Sequence, residues 1–340
     1  MYFTLMNILI RLPNWLGDMV MSTAFVQAVK EYFPDASVDL IAKKGIDFLL
    51  DHFPAHDQRY IFSKEEYKGL AGVRRFGKMI KRQKRYDLFF CLPDSFSSAF
   101  MGHATGSKAR VGFKKEVRSV FLTHSFHKPK NMHRVEEYIN LLEQYITKKI
   151  PVPAVKLQAG KIEKKNQLII NINSEAISRR LPKEKAISII AAVRKSTSHE
   201  IILIGSNKEA EFVNEVFEPL ADKTGISNYV GKTNLQELVT LFSTAAVILT
   251  TDSGPAHVAN ALGVFTIVLF GAGNENNTAP FNTVNRSIIR LGQLACEPCV
   301  SNTCKLYGIP KCLQLLDETL IAAEVQKAFN QEQEKKNHEY

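Results

Sequence analysis

Short apolar runs alternate along most of the chain with longer segments whose apolar residues recur at helical spacing. The runs at residues 7–10 and 37–42 are typical of buried strands, and residues 19–33 between them have helical character. Strand, helix and strand in this order predict a βαβ unit with a parallel sheet. Further strands are predicted at residues 60–62, 87–92, 110–113, 168–172, 201–204, 246–249 and 266–270, the last ending its sheet at Gly271. Further helices are predicted at residues 64–85, 133–146, 181–195, 208–221, 234–244, 258–262 and 316–329.

The pattern is interrupted once, near the middle of the chain. Residues 151–153 read Pro-Val-Pro and residues 161–166 are rich in charge, which is typical of a linker. A chain of 340 residues is also long for one core. We therefore expect an α/β protein with two Rossmann-like domains, arranged as residues 1–150, a linker at 151–166, residues 167–330 and a frayed polar tail at 331–340. Two such domains would place a ligand-binding cleft between the carboxyl ends of their parallel sheets.

Composition is that of a water-soluble globular protein, with 45% hydrophobic and 23% charged residues. No apolar run reaches the ~18–20 residues that a membrane-spanning helix requires. The start of the chain lacks the basic segment and the small-residue cleavage site of a signal peptide. We therefore expect a cytoplasmic protein.

Positive charge is concentrated in the first half of the chain. Residues 1–150 hold 24 Lys and Arg against 15 Asp and Glu, whereas residues 151–340 hold 20 against 19. The predicted helix at 64–85 alone has nine basic and two acidic residues. Such a bias suggests a nucleic acid, an anionic membrane or a phosphorylated substrate as partner, or else a solvated basic face. Few aromatic residues interrupt the basic helix, so a nucleic-acid partner is unsupported.

The stretch Thr251-Asp252-Ser253-Gly254-Pro255-Ala256-His257 joins an apolar strand to a segment of small residues with helical character. A strand, a tight turn and a helix start gather backbone N–H groups and the positive end of a helix dipole, which suits a phosphate. Many turns of this composition are purely structural, so both interpretations stay open.

Two further loops carry charged groups at strand-to-helix junctions. Asp18 follows Gly17 after the first strand and is either a base or a helix N-cap. Arg179 and Arg180, near Ser174, either clamp a diphosphate with bidentate hydrogen bonds or form a solvated helix start.

Four cysteines, Cys296, Cys299, Cys304 and Cys312, lie close together in the sequence. Four thiolates suit tetrahedral zinc, but the spacing is not that of a zinc ribbon, and reduced packing thiols are the favoured alternative. The chain has no Gly-x-Gly-x-x-Gly, Walker-type Gly-x-x-x-x-Gly-Lys-Ser/Thr or His-Glu-x-x-His motif, and we expect no cofactor.

Two longer motifs resemble a known family. The segments Arg11-Leu12-Pro13-Asn14-Trp15-Leu16-Gly17-Asp18 and Thr251-Asp252-Ser253-Gly254-Pro255-Ala256-His257 resemble the outer motifs of the lipopolysaccharide heptosyltransferases, glycosyltransferase family 9, particularly the heptosyltransferase II type. Arg110-Val111-Gly112-Phe113, Arg179-Arg180-Leu181-Pro182 and Gly231-Lys232-Thr233 follow in the expected order. The resemblance covers nearly the whole chain.

The resemblance implies a GT-B fold, in which two Rossmann-like domains face each other across a cleft. It implies a metal-independent, inverting transfer of L-glycero-D-manno-heptose from ADP-heptose. The acceptor would be the phosphorylated inner core of nascent lipopolysaccharide, an anionic glycolipid. The enzyme would then be peripheral to the cytoplasmic face of the inner membrane.

The resemblance also assigns roles to individual residues. Asp18 matches the general base, and Arg179 matches a basic residue that stabilises the leaving diphosphate. The residues expected at the donor are Ser174, Arg180, Glu209, Thr233, Asp252, Ser253, Gly254, Pro255 and His257. Arg11 and Arg110 are expected at the acceptor.

Two departures from the family pattern lie near the expected donor. Leu181 replaces the usual Trp, and Asn173-Ser174-Glu175 replaces a small Pro-Gly-Ala segment. The alternatives are therefore a GT-B transferase that uses another nucleotide sugar, and a non-catalytic nucleotide-binding or membrane-associated module of the same fold.

Overall fold

A computed structural model describes residues 5–160 and 162–338, without the side chains of 336–338. The chain divides after Gln158 into an N-terminal unit and a C-terminal unit. The division falls inside the stretch 151–166 that the sequence assigns to a linker.

The N-terminal unit is built on a six-stranded parallel sheet of order β3-β2-β1-β4-β5-β6. Its strands are β1 Asn7–Arg11, β2 Ser37–Lys43, β3 Arg59–Phe62, β4 Leu88–Cys91, β5 Ala109–Phe113 and β6 His124–Phe126. Its helices are α1 Leu16–Met21, α2 Thr23–Tyr32, α3 Gly69–Gln83, α4 Phe96–Thr105 and α5 Arg134–Ile146. α5 packs on α1 and α2, whereas α3 packs on α4 and α4 packs on the 3-10 turn Glu116–Phe121. The two helical layers cover opposite faces of the sheet, as right-handed crossovers require.

The C-terminal unit repeats this plan in the order β12-β11-β10-β7-β8-β9. Its strands are β7 Gln167–Asn171, β8 Glu200–Leu203, β9 Ile226–Asn228, β10 Val247–Thr251, β11 Phe265–Phe270 and β12 Arg286–Arg290. Its helices are α6 Lys183–Ser196, α7 Ala210–Phe217, α8 Leu235–Thr244, α9 Gly254–Ala261, α10 Glu275–Thr278, α11 Lys311–Gln314 and α12 Glu318–His338. None of the helices in the described residues is both long and apolar enough to cross a membrane.

Counted from the first strand of each unit, both sheets have the Rossmann order 3-2-1-4-5-6. The order reverses between β1 and β4 in one unit and between β7 and β10 in the other. Ligands of open α/β sheets bind at the carboxyl ends of the strands at such reversals. The fold therefore points to the loops that follow β1, β4, β7 and β10.

The structure differs from the sequence-based expectation in several elements. α4, β6, β9 and β12 were not predicted, and the expectation that the second sheet ends at Gly271 is wrong because β12 pairs with β11. The single helix expected at 19–33 is two helices that meet at Ser22. The tail expected to fray after residue 330 continues α12 to His338, and residues 339–340 lie outside the described residues.

Candidate functional site

The loop after β10 lies at the reversal point of the C-terminal sheet. α9 begins at Gly254, four residues before the sequence predicts, and Pro255 occupies its first turn, where a missing N–H is tolerated. Within the described residues, the N–H groups of Ser253 and Gly254 have no backbone acceptor, whereas Ala256 N–H donates to Ser253 O at 3.1 Å. The helix dipole adds positive potential at these two amides, which together suit an anionic group.

Buried polar side chains of β7, of β10 and of the loop after β7 fix the position of this turn. Asn171 Nδ2 donates to Thr250 Oγ1 and to Ser253 Oγ, both at 3.0 Å. Thr251 Oγ1 donates to Asn173 O, and Ser174 Oγ donates to Asp252 O at 3.4 Å. The loops after β7 and β10 are therefore held together by side-chain hydrogen bonds, which gives the turn a defined shape before any ligand arrives.

Asp252 is 3% exposed, and its Oδ2 lies 3.2 Å from Arg179 Nη1. Burial raises the pKa of Asp252 to about 6, although the charges of Arg179 and Arg290 oppose the rise. A Cβ on Gly273 would lie 2.0 Å from Asp252 Oδ2, so the carboxylate occupies the space that a side chain would need. The structure thus places a carboxyl group that is costly to ionise beside Arg179, the arginine expected to bind phosphate.

Arg179 and Arg180 approach the same loop from the segment after β7. Arg179 closes a 3-10 turn, Ile177–Arg179, and its side chain is 25% exposed. The Arg180 guanidinium donates from Nη2 to Ser174 O at 3.3 Å and lies 5.2 Å from the centroid of the Phe212 ring. Arg179 contacts Asp252, the residue before the Ser253–Gly254 amides, and Arg180 contacts Ser174, which is bonded to Asp252 O. Two cations beside this turn suit a diphosphate.

Two segments support this site from behind. Arg290 of β12 donates to Gly271 O and Gly273 O and forms an ion pair with Glu275. In the cysteine-rich segment, Asn302 O accepts a hydrogen bond from Ser178 N at 3.1 Å. Both contacts hold residues adjacent to the Arg179–Asp252 pair.

The cysteines of this segment do not form a metal centre in the structure. All five cysteines of the chain are free thiols, with Cys91 and Cys312 buried, Cys296 and Cys304 half-buried and Cys299 exposed. Across residues 5–160 and 162–338 no group of three or more Cys, His, Asp or Glu is placed to hold a metal ion. Burial, with the charge of Glu297 adding to it, raises the pKa of Cys312 to about 11, which is typical of a packing thiol.

The remaining residues expected at the donor lie on neighbouring loops of the same sheet. Glu209 follows β8 and accepts hydrogen bonds from Ser206 N and Oγ at 2.7 and 2.8 Å. Thr233 follows Gly231, which has φ +68° and whose N–H donates to Gly205 O at 2.8 Å. His257 is 6% exposed and is the fourth residue of α9. All three therefore lie near the carboxyl ends of strands.

In the N-terminal unit, Asp18 lies on the first turn of α1 at the reversal point of the sheet. Trp15 is the N-cap of this helix and makes no side-chain cap hydrogen bond, so Asp18 is not the cap that the sequence allows. Asp18 Oδ1 lies 3.4 Å from Arg134 Nε, and the two side chains are 26% and 29% exposed. The helix dipole and this cation both favour the ionised carboxylate, as proton acceptance requires.

Arg134 belongs to a chain of alternating charges at the same sheet edge. Arg134 Nη1 lies 2.7 Å from Glu137 Oε2, and Lys128 Nζ lies 3.2 Å from Glu137 Oε2 and 2.9 Å from Asp94 Oδ2. Burial lowers the pKa of Arg134, but nearby anionic groups, Asp18 among them, outweigh burial and raise it. Arg134 therefore remains a cation beside Asp18.

Arg11 and Arg110, expected at the acceptor, make mainly internal contacts. Arg11 is 2% exposed and donates from Nη1 to Leu12 O at 2.8 Å, and burial lowers its pKa to about 10. Arg110 donates to Phe121 O and Ser107 O at 2.8 and 2.7 Å. Both side chains hold loops in place, and we do not include them in the proposed site.

The sequence-based reasoning missed four residues that shape the two sites: Asn171, Gly273, Arg290 and Arg134. A signal was available for Arg134, because a cation in the first turn of a helix is locally unfavourable. Nothing in the sequence alone connects the other three to Asp252.

The two Rossmann-like units, each with polar groups at the reversal point of its sheet, have the fold of the GT-B class of glycosyltransferases. A model of "Glycosyltransferase family 9 (heptosyltransferase)" matches residues 73–309, and the chain belongs to that family. The protein is therefore an enzyme of the glycosyltransferase class, and the resemblance seen in the motifs is confirmed. Asp18 lies before the matched range.

Curated relatives cover nearly the whole chain. Lipooligosaccharide heptosyltransferase 2 of Campylobacter jejuni is 29% identical over 334 residues, which are 95% of this chain and 99% of the relative. Lipopolysaccharide heptosyltransferase 2 of Escherichia coli is 28% identical over 309 residues, 84% of this chain and 88% of the relative.

Solved structures share the fold. The ADP-heptose lipopolysaccharide heptosyltransferase II of E. coli aligns with a TM-score of 0.81 at 23% identity, covering 96% of this chain and all of that one. The E. coli heptosyltransferase WaaC, solved with ADP, aligns with a TM-score of 0.74 at 15% identity and covers 95% of this chain and all of that one. Both support the GT-B assignment.

Proposed function

We propose that the protein transfers L-glycero-D-manno-heptose from ADP-heptose to the phosphorylated inner core of nascent lipopolysaccharide. The observation that carries the proposal is the contrast between the two reversal points. One presents the carboxylate of Asp18 beside Arg134, and the other presents Arg179, Arg180 and the amides of Ser253 and Gly254. A carboxylate base and a cationic diphosphate site are the two parts that a direct glycosyl transfer needs.

In the proposed reaction, an acceptor hydroxyl oxygen attacks the anomeric carbon of the donor. Its proton passes to Asp18 while the bond from the anomeric carbon to the phosphate oxygen breaks. The charge that develops on ADP is stabilised by Arg179, Arg180 and the amides at the start of α9. A single displacement inverts the anomeric configuration, and these cations perform the role that a metal ion has in other transferases.

The names of the relatives support the substrates. The curated relatives are lipopolysaccharide or lipooligosaccharide heptosyltransferases, and solved structures of the same fold are described with ADP or as ADP-heptose enzymes. The basic N-terminal half is complementary to an anionic glycolipid acceptor. We therefore infer a protein that works at the cytoplasmic face of the inner membrane as a peripheral enzyme.

Replacing Asp18 by Asn tests the proposed base. We expect kcat to fall 10²–10⁴-fold, the usual contribution of a general base, with the Kd for ADP-heptose changed less than about threefold. Transfer is measured by release of ADP, and donor binding by titration calorimetry. Asp35→Asn, at an exposed position of the same unit, is the control. Turnover near that of the wild type in Asp18→Asn would remove Asp18 from this role.

The departures from the family pattern favour a second candidate, a GT-B transferase that uses another nucleotide sugar. Leu181 is 2% exposed and Asn173 is 1% exposed, so both shape the interior beside the donor loop. Thermal shifts with ADP-, UDP- and GDP-sugars discriminate the candidates, because a ligand that binds only the folded state raises the melting temperature. A shift with UDP- or GDP-sugars alone would exclude ADP-heptose. A shift with ADP-heptose and normal turnover in Asp18→Asn would favour a different base.

A further inference from the structure

α3 has a strongly basic outer face that the proposed reaction does not use. Val73, Phe76 and Ile80 are buried in the core on one side of the helix. Five exposed cations lie on the outer side, and a sixth follows the end of the helix: Arg74, Arg75, Lys78, Lys81 and Arg82 on α3, and Arg85 two residues after it. The apolar stripe is sufficient to hold the helix on the sheet, so the cations are not needed for its packing.

These six charges are not balanced within the described residues. The sequences of α3 and α4 contain no acidic residue, and none of the six cations is in an ion pair, whereas their neighbour Lys84 pairs with Asp39 at 2.8 Å. Arg74, Lys78 and Arg82 are spaced at i, i+4 and i+8, where like charges destabilise a helix. A partner that carries many negative charges on an extended surface would relieve this repulsion.

Exposed apolar side chains lie on the same layer of the unit. α4 packs between α3 and the 3-10 turn Glu116–Phe121, and α4 itself is uncharged. Leu70 at the start of α3 is 51% exposed, and Val117 and Val120 of the turn are 66% and 75% exposed. The starts of α3 and of the turn follow the carboxyl ends of β3 and β5, which is the sheet edge that holds Asp18.

We propose that the outer surface of α3, α4 and the turn Glu116–Phe121 docks on an anionic lipid bilayer. The cations of α3 face the lipid phosphates, and Leu70, Val117 and Val120 enter the interface between head groups and acyl chains. The inference rests on the proposed function, since this docking brings the Asp18 edge toward a lipid-anchored acceptor. The exposed valines favour a bilayer over a nucleic acid, which offers them no apolar interior. A second copy of this surface would bring six like charges together.

Partition of the full-length protein onto vesicles tests the docking surface. Vesicles of phosphatidylglycerol and phosphatidylethanolamine are compared with vesicles of phosphatidylcholine alone by co-sedimentation. We expect binding to the anionic vesicles only, weakened by salt. The variant Arg74→Glu, Lys78→Glu, Arg82→Glu should lower the partition coefficient at least about tenfold, because each basic residue near an anionic surface contributes roughly fivefold. The variant Val117→Ser, Val120→Ser should also lower it, with a salt dependence like that of the wild type.

The control places the same charge change elsewhere on the protein. Lys195→Glu, Lys223→Glu and Lys327→Glu reverse three exposed cations of the C-terminal unit and should leave partition within about twofold of the wild type. The proposal would be overturned if this control lowered the partition coefficient as much as the α3 variant does. It would also be overturned if the wild-type protein did not bind anionic vesicles. Two other results would contradict it. One is a dimer, seen by analytical ultracentrifugation, that the α3 variant abolishes, and the other is tight binding to RNA in place of vesicles. The vesicle measurement needs no donor, so it stands even where the proposed heptosyl transfer fails.

Discussion

Asp18 and Asp252 are two carboxylates in opposite electrostatic conditions. Asp18 lies on the first turn of a helix beside Arg134, so its surroundings favour the ionised form. Asp252 is buried, and its pKa is raised to about 6 in spite of Arg179. The two carboxylates therefore have different surroundings, which suit them to different tasks. Asp18 suits proton acceptance, and Asp252 suits the orientation of Arg179 and of donor hydroxyl groups.

Replacing Arg134 by Gln tests whether this cation maintains the ionised form of Asp18. Without the cation, we expect the acid limb of the pH profile of kcat/KM to move to higher pH, because the charged form loses a cation 3.4 Å away. Arg134→Lys should restore most of the wild-type profile. Arg59→Gln breaks an exposed Arg59–Asp51 pair in the same unit and should leave the profile in place. Loss of activity at every pH without a shift of the limb would assign Arg134 a purely structural role.

We expect Asp252→Asn to make the folded protein more stable and to weaken its donor binding. Because the folded-state pKa, about 6, lies above the ordinary 3.8, ionising Asp252 costs the folded state free energy. Its contribution to stability is therefore greatest below pH 4 and falls as the pH rises through 6. At pH 7.5 we expect Asn to raise the free energy of unfolding by about 1–3 kcal/mol and to weaken donor binding.

Denaturant unfolding at pH 4 and pH 7.5, followed in the transition of the C-terminal unit, measures the effect of Asp252→Asn. The gain should shrink to a small value at pH 4, close to the ordinary pKa of 3.8, because Asp252 is protonated in the folded state there and little of the cost of its ionisation has built up. The same gain at both pH values would mean that the substitution acts through packing and not through charge.

At the scale of elements, the strands that the sequence predicts are the more buried ones, and those that it misses, β6, β9 and β12, are mostly half-buried. The central strands β1, β4, β7, β10 and β11 are continuous apolar runs and were all predicted. β12 is half-buried along its whole length and flanked by arginines, so its composition gives a weak strand signal. α4 has only short apolar repeats between Ser, Gly and Thr, although its Ser95 cap was a usable signal.

The residues of the candidate site also divide into those that local sequence reveals and those that it does not. Asp18, Arg179 and the 251–257 turn were predicted because strand-to-helix junctions are visible in the sequence. The support by Arg290 depends on β12 lying beside β11, a contact between distant residues. Local pattern cannot reveal such a pairing.

Gly273→Ala tests the loop between β11 and α10. The added Cβ would lie 2.0 Å from Asp252 Oδ2, so the loop or the carboxylate must shift. We expect the KM for the donor to rise about tenfold or more and the free energy of unfolding to fall by about 1–3 kcal/mol, as in other overpacked sites. Gly160→Ala is the matched control, because its Cβ would have no atom within 4 Å. Unchanged donor KM in Gly273→Ala would separate this loop from the donor site.

At the scale of the whole molecule, the two units share a strand order but differ in chemistry. Both sheets have the order 3-2-1-4-5-6, yet residues 1–150 have a net charge of +9 and residues 151–340 have +1. The same scaffold therefore presents a carboxylate in a basic unit and arginines in a nearly neutral unit. This contrast fits a division of labour in which the acceptor is bound by the N-terminal unit and the nucleotide by the C-terminal unit.

Hydrogen exchange with and without ADP tests this division on the intact chain. ADP should slow amide exchange at residues 173–180 and 252–257, because bound phosphate engages their amides and orders Arg179 and Arg180. At 100 times its Kd, ADP should also stabilise the C-terminal unit by about 2.7 kcal/mol. Residues 12–18 should exchange at the same rate with and without ADP, since Asp18 is assigned to the acceptor. Arg179→Ala serves as the control, because weaker ADP binding should reduce both effects at a fixed ADP concentration. Protection confined to the N-terminal unit would reverse the assignment of donor and acceptor to the two units.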